Sequence, residues 1–182
     1  MMGWRTIESE ELLETDFVTV RRSKVELPDG AVIEDFFTVG IQDASMVAAL
    51  TAEGDILLKK EFRYACGCDV TECPAGMFEK GEEPLDVARR ELLEETGYSS
   101  DDWTYLGPTL ESTSKLTNTM HLFLARNCIK KDEQHLDQFE RISLIKVPLQ
   151  RAVEMVMNGA INANSTAHLI LKVNEMMRRG II

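Results

Sequence analysis

Residues 76–98 read G-M-F-E-K-G-E-E-P-L-D-V-A-R-R-E-L-L-E-E-T-G-Y, and they constrain the chain more than any other stretch. Pro84 suits the first position of a helix, and Glu83 and Asp86 suit its positive end. Leu85, Ala88 and Leu92 recur at spacings of three and four, one apolar stripe. Gly97 is a natural terminator in the left-handed conformation. Within this helix the last turn carries Glu91, Glu94 and Glu95. Like charges three and four apart repel, and carboxylates at a helix C-terminus face the negative end of the dipole. Both effects oppose folding by tenths of a kcal/mol. A hard divalent cation reverses the sign of both, because it takes carboxylate oxygens. At about 100° per residue, Glu91 and Glu95 lie together beside the apolar stripe and Glu94 lies to one side. The acids are therefore expected at the rim of the core, where a Mg²⁺- or Mn²⁺-type ion can sit in a cleft. By itself an E-x-x-E-E run is an ordinary acidic helix surface, so the metal reading needs context.

The same residues supply it. They resemble the Nudix box, G-x5-E-x7-R-E-U-x-E-E-x-G-U with U aliphatic. Gly76, Glu82, Arg90, Glu91, Leu92, Glu94, Glu95 and Gly97 fall at its fixed spacings. Tyr98 departs from the final aliphatic position but is apolar enough to pack. Lys60-Glu61-Phe62-Arg63-Tyr64 and Glu72-Cys73-Pro74-Ala75-Gly76 look like the Q-x-R-Y … E-L-P-A-G lead-in of ADP-ribose and nucleoside-diphosphate-sugar pyrophosphatases. Val18–Arg22 and Leu27–Gly30 resemble the N-terminal strands of that branch. Thr117–Ala125 resembles its strand after the box, and Val147–Leu149 with Ile161–Ser165 its closing helices. The resemblance spans nearly the whole chain.

The fold is read as mixed α/β. Residues 17–26 and 31–40 alternate around Pro28-Asp29-Gly30, a hairpin. Apolar runs at 45–51 and 55–62 flank Ala52–Asp55, a second hairpin. Residues 66–73 lead into the Pro74-Ala75-Gly76 turn and the box. Strands are expected at 103–110, 119–126 and 142–147, and helices at 149–157 and 163–178. Strands covered by helices on either face give a layered sandwich, which agrees with the α/β/α Nudix fold that the resemblance implies. Residues 1–42 are expected as a small antiparallel sheet and 43–182 as the Nudix hydrolase domain. In related pyrophosphatases such a sheet contributes to a dimer, often by exchange between subunits, so a homodimer is expected.

The resemblance also implies the chemistry. The family hydrolyses a nucleoside diphosphate linked to another moiety. Water attacks one phosphorus and a phosphate monoester leaves. Metal ions neutralise the phosphate oxygens and lower the pKa of water. Glu91 and Glu95 are the primary metal ligands on this reading, then Glu94, with the Ala75 carbonyl and Glu82 as further candidates. Mg²⁺ is the expected ion, with Mn²⁺ possible. Glu82 reaches a metal directly or fixes Arg90. Arg90 enters the catalytic set by holding the loop against the helix through a charge-assisted hydrogen bond. Glu95 and Glu94 complete that set with Glu140, which aligns best with a distant-loop glutamate that serves as general base or water orienter. Glu133 and Asp137 are its rivals. Arg63 and Glu72 are candidates for phosphate and for ribose or adenine, with an ion pair and a strand-end charge as the alternatives. Asn118 is a third candidate, in a loop from Ser112. Many ADP-ribose enzymes carry Pro-Gly and a later Glu there, whereas this chain has Thr113-Ser114 and Asn118.

Net charge of −11 argues against nucleic acid as partner. It leaves open a small anionic nucleotide, because a local ion inverts the field at one site. No 18-residue apolar run and no leader are expected, hence no membrane and a cytoplasmic protein. Cys66, Cys68, Cys73 and Cys128 lack paired zinc-ribbon spacings and read as reduced thiols, with a zinc site as the alternative. Cys66 and Cys68 are too close for an easy disulfide. Trp4 and Trp103 stack on a base or pack, and His121 begins a strand. The leading reading is hydrolysis of ADP-ribose or a nucleotide sugar. The alternatives are a nucleoside triphosphate pyrophosphatase and a catalytically silent nucleotide-sensing domain.

Overall fold

Strand β4 (Ala44–Thr51) is buried at every position, so both of its faces must be covered. A computed structural model describes residues 3–182 and shows how. In the unit formed by residues 44–109 and 120–182, Val47 and Ala49 of β4 face one core with Ala88, Leu92 and Phe123. Met46, Ala48 and Leu50 face a second core with Leu124, Leu169, Ile170 and Val173. This parity-two split is the pleat of a central strand.

Strand β5 (Asp55–Arg63) pairs antiparallel with β4 on one side and with β11 (Ser143–Pro148) on the other. Strand β10 (Thr119–Lys130) runs parallel to β4. The short strands β6 (Cys68–Glu72) and β7 (Ala75–Met77) pair with β5 and β4. Strands β8 (Tyr98–Ser99) and β9 (Asp102–Leu110) both pair with β10. Helix α1 (Pro84–Thr96) buries Ala88 and Leu92 on the Val47 face, and α2 (Leu149–Met157) and α3 (Asn164–Arg178) bury Ala152, Leu169, Ile170 and Val173 on the other. Helices on both faces of a mixed sheet match the expected architecture. The expected strands and helices from residue 44 onward are present within a few residues, while Ala75–Met77, expected to begin in a turn, pairs with β4 as β7, and the two-residue β8 was not expected.

Among the described residues the second unit comprises 3–43 and 110–119. Its sheet has the order β1-β2-β3, with β1 at Arg5–Glu14, β2 at Thr19–Glu26 and β3 at Val32–Gly40. The β2–β3 hairpin turns at Leu27–Gly30, where Gly30 has φ +84°. Strand β1 was not legible in the sequence. It is exposed along all ten residues, so it has no buried face to impose alternation. Charge pairing with β2 sets its register instead: Arg5 with Glu26, Glu10 with Arg22, and Glu11 with Arg21, each at 2.6 Å. Opposite charges facing across strands supply that kind of pairing energy. Residues 110–119 attach to β3 through Val39, whose N–H donates to the Lys115 carbonyl at 2.8 Å.

Among the described residues no helix is long and apolar enough to cross a membrane. Cys66 and Cys68 are exposed, Cys73 and Cys128 are buried, and all four thiols are free. Trp4 packs edge-on against Phe36, and Trp103 against Phe123.

Candidate active site

Helix α1 begins at Pro84 and stops at Gly97, which has φ +73° and donates its N–H to the Leu93 carbonyl at 2.7 Å. Packing Ala88 and Leu92 against the sheet turns Glu91 and Glu95 inward as well. Glu95 is 1% exposed and Glu91 8%, while Glu94 is half-buried. Two buried carboxylates on one turn of helix demand partners, and strand β7, where the box begins, meets both. The Ala75 N–H donates to Glu95 Oε2 at 3.0 Å. The Glu91 carboxylate lies over Gly76, where an added Cβ would sit 1.8 Å from Glu91 Oε1. Gly76 is thus a cradle for Glu91, which gives a physical reason for the first glycine of the box.

Arg90 bonds to both the box loop and the helix. Its Nε and one terminal nitrogen each donate to Glu82 at 2.9 Å, a bidentate pair, and it also donates to the Met77 carbonyl at 3.1 Å. Glu82 accepts the Glu79 N–H as well, at 2.8 Å. The Arg90 hydrogen bonds hold the Glu82 carboxyl below its usual range. The other terminal nitrogen of Arg90 donates to Glu91 Oε1 at 2.6 Å and reaches Glu94 Oε2 at 3.3 Å. Burial pushes the Glu91 carboxyl up, against the pull of Arg90. Burial also pushes the Glu95 carboxyl up, to about 7.

The main residue missed from the sequence is Lys59. Its ammonium pairs with Glu95 Oε1 and donates to the Ala75 carbonyl at 3.2 Å. Its side chain is 2% exposed. The signal was available in the strand parity. In Ile56-Leu57-Leu58-Lys59, alternate residues share a face, so Lys59 follows Leu57 onto the α1 side of β5. A lysine in that register must end beside an anion.

The loop after β10 is fastened to the C-terminal end of α1. Gln134 donates to the Glu95 carbonyl at 2.6 Å, the His135 N–H to the Glu94 carbonyl at 2.8 Å, and the Lys131 N–H to the Gly97 carbonyl at 2.8 Å. These bonds satisfy carbonyls that a helix leaves open at its end. Glu140 lies further along this loop, with its carboxylate accepting the Asp137 N–H at 3.0 Å. Arg63 and Glu72 are brought together as each other's partners, with Arg63 Nε to Glu72 Oε2 at 2.8 Å and Arg63 to Glu61 at 3.0 Å. Asn118 lies in the 110–119 segment. It is buried, and its Oδ1 has no hydrogen-bond partner among the described residues. The His121 ring lies 2.9 Å from the Tyr105 hydroxyl.

The donor set around the box is all oxygen: the Glu91, Glu94 and Glu95 carboxylates and the Ala75 carbonyl. That chemistry fits a hard divalent ion. Their present placement is the cation-paired one, turned to Lys59 and Arg90. Among the described residues, no three His, Cys, Asp or Glu side chains converge as a ready-made cage.

Comparison with known proteins agrees with this geometry. The NUDIX domain family matches residues 41–168, and the nucleoside diphosphate sugar hydrolase N-terminal domain matches residues 4–39. The chain is 32% identical to an ADP-ribose pyrophosphatase of Bacillus subtilis (strain 168), over 96% of this chain and 95% of that protein. It is 31% identical, over the same shares, to a methanol dehydrogenase activator of Bacillus methanolicus. A crystal structure of an ADP compounds hydrolase superposes with a TM-score of 0.84 at 18% identity, covering 100% of this chain and 98% of that one. That structure shares the fold, and the box acids, their glycine cradle and the matched domains place the chain in one family: it is a Nudix hydrolase of the ADP-ribose and nucleoside-diphosphate-sugar pyrophosphatase type.

Proposed function

We propose that this chain hydrolyses the pyrophosphate bond of ADP-ribose or a related nucleotide sugar in a Mg²⁺-dependent reaction, Mn²⁺ substituting, and releases a nucleoside monophosphate and a sugar phosphate. The observation that carries the reading is the gathering of Glu91 and Glu95 on Ala75 and Gly76 of β7, with Glu94 on the same helix end. Glu91, Glu94, Glu95 and the Ala75 carbonyl would hold the metal. When bound, the metal supplies neutralisation of the phosphate oxygens and a more acidic water. Arg90 fixes the loop through Glu82 and orients Glu91 and Glu94.

The proton of the attacking water goes to Glu140 on this proposal. Its loop is anchored to the box helix through Gln134 and His135, and this attachment is what supports the assignment. Arg63 and Glu72 are proposed to bind the substrate together. Their mutual ion pair places a phosphate-binding guanidinium and a hydroxyl-accepting carboxylate side by side.

Residues 1–42 are proposed to mediate a homodimer. Strand β1 is a sheet edge exposed at every position, with Ile7, Leu12 and Leu13 open to solvent, and Trp4 just before it is half-exposed. Exposed edges and clustered apolar side chains are what a partner strand covers. Size-exclusion chromatography with light scattering tests this, and a monomer at micromolar concentration refutes it. A reducing, cytoplasmic location suits the exposed free thiols of Cys66 and Cys68.

The activity is tested by incubating the protein with Mg²⁺ and a panel of ADP-ribose, ADP- and GDP-sugars, dinucleotides and nucleoside triphosphates. AMP released from ADP-ribose, or a nucleoside monophosphate from a nucleotide sugar, is the expected result. Cleavage of triphosphates alone refutes the proposal.

A further inference from the structure

Lys59 is buried where the pyrophosphatase reading puts a metal ion. Of the oxygens proposed for that ion, two already belong to its ammonium: the Ala75 carbonyl, at 3.2 Å, and Glu95 Oε1. The arrangement is built from three separate elements. Lys59 comes from β5, Ala75 from β7, and Glu95 from α1. The lysine reaches inward because Leu57 and Lys59 share a face of β5, and Leu57 is in the core beneath α1. With its side chain 2% exposed, Lys59 has no route to solvent by snorkelling. A buried ammonium is held only by anions and carbonyls, and these two are the partners it has found.

We propose that Lys59 is a tethered cation that competes with divalent metal for the Glu95 and Ala75 half of the box, so that the protein alone binds metal more weakly than its oxygen donors allow. This inference rests on the reading of the box as a metal site. An ammonium and a divalent ion cannot both hold Glu95 Oε1 and the Ala75 carbonyl without close like-charge repulsion. Either the ion displaces Lys59, and pays that cost in affinity, or it is confined to the Glu91 and Glu94 half. In both cases the lysine lowers occupancy in the absence of substrate. A substrate pyrophosphate adds negative charge beside the two cations and relaxes the repulsion. Lys59 thereby links metal loading to the arrival of a polyanion. It acts through the metal ligands and is a positioning residue.

The test is Mn²⁺ binding to the metal-free full-length protein, followed by electron paramagnetic resonance and calorimetry, for the wild type and Lys59→Met. A nearby charge shifts an ionic equilibrium by about one to three powers of ten. Lys59→Met is therefore expected to bind Mn²⁺ at least about tenfold more tightly, or to gain a further ion per chain. Its metal-free melting temperature should fall, because Glu95 loses its counter-charge, and saturating Mn²⁺ should restore it. Lys59→Gln, which keeps a donor for the carbonyl without the charge, should show the same tightening and covers the case in which the methionine variant does not fold. If both variants bind Mn²⁺ no better than the wild type and stay destabilised with the ion present, Lys59 is only a structural ion pair and the inference is wrong. If neither the wild type nor the variants bind Mn²⁺, the metal reading of the box fails and the inference falls with it.

Discussion

The two glycines that bracket the box make opposite demands, and replacing each by alanine separates function from stability. A Cβ on Gly76 would stand 1.8 Å from Glu91 Oε1, 2.1 Å from its Cδ and 2.7 Å from Oε2. To move from 1.8 Å to the 3.4 Å of an ordinary contact, the carboxylate must retreat by about 1.6 Å. It is the far end of a flexible side chain, so it can. The cost in stability is the charge-assisted bond to Arg90, about 1–2 kcal/mol at a partly open position. The cost in function is larger, because a misplacement of about 1 Å at a reacting site is worth about a hundredfold. Gly76→Ala should therefore lose at least about a hundredfold in turnover and bind Mn²⁺ more weakly, with a melting temperature about 2–8 °C below wild type. Gly97 differs. It sits at φ +73°, and a Cβ would meet the Asp132 carbonyl oxygen at 2.1 Å. That oxygen is backbone, and the Asp132 N–H is itself bonded to the Gly97 carbonyl at 3.0 Å. Left-handed strain of about 1–2 kcal/mol adds to the displaced loop, so Gly97→Ala should cost roughly 3 kcal/mol and about 6–12 °C. The assays are thermal melts with and without Mn²⁺ and steady-state hydrolysis of ADP-ribose. Wild-type turnover in Gly76→Ala would refute the cradle for Glu91. A wild-type melt in Gly97→Ala would refute the close approach of the 131–135 loop to the helix end.

Three further outcomes are expected. Glu95→Gln should lower metal-dependent turnover by at least about a hundredfold while still melting cooperatively, and retained activity would remove Glu95 from the ligand set. Burial raises the Glu95 carboxyl to about 7, so protons should compete with metal below that value, and Mn²⁺ affinity measured by calorimetry should fall by up to about tenfold per pH unit there. The stability sign is the reverse. A group whose pKa is raised on folding contributes stability below its unfolded value of about 4.3, and this is lost as pH rises through the folded value. Metal-free wild type should therefore lose more melting temperature between pH 5.5 and 8 than Glu95→Gln does, and equal slopes would count against a buried Glu95. Burial also pushes the Cys73 and Cys128 thiols up to about 12, so at pH 8 a disulfide reagent should titrate Cys66 and Cys68 quickly and the other two only in denaturant; four fast thiols would contradict the packing.

What the sequence disclosed depended on whether a local rule had a single answer. The box helix was legible because Pro84, the apolar stripe and Gly97 all mark the same boundaries, and the hairpins because alternation and turn residues coincide. Strand β1 escaped because both of its faces are exposed and its register comes from charges on another strand, which no window of ten residues contains. Arg63 and Glu72 were each legible as a charge near the lead-in but not as partners, since the β5–β6 register sets Arg63 opposite Cys68 and Glu72 opposite Lys59, and only the long arginine side chain closes the distance.

The same register exposes the deeper difficulty with acidic motifs. Three glutamates at a helix end imply a cation, and the spacing of the motif implies a metal, but the pattern is silent about charge supplied from elsewhere in the chain. Here two basic side chains answer the acids. Arg90, inside the motif, takes Glu82, Glu91 and Glu94. Lys59, seventeen residues before Gly76, takes Glu95. The metal-free fold is thus stabilised by the protein's own cations against the repulsion that first marked the site. Any ion that binds must do better than an ammonium and a guanidinium already in place. Its affinity is a difference between two cationic states, and the arriving pyrophosphate, carrying charge for both, is the component able to shift that difference.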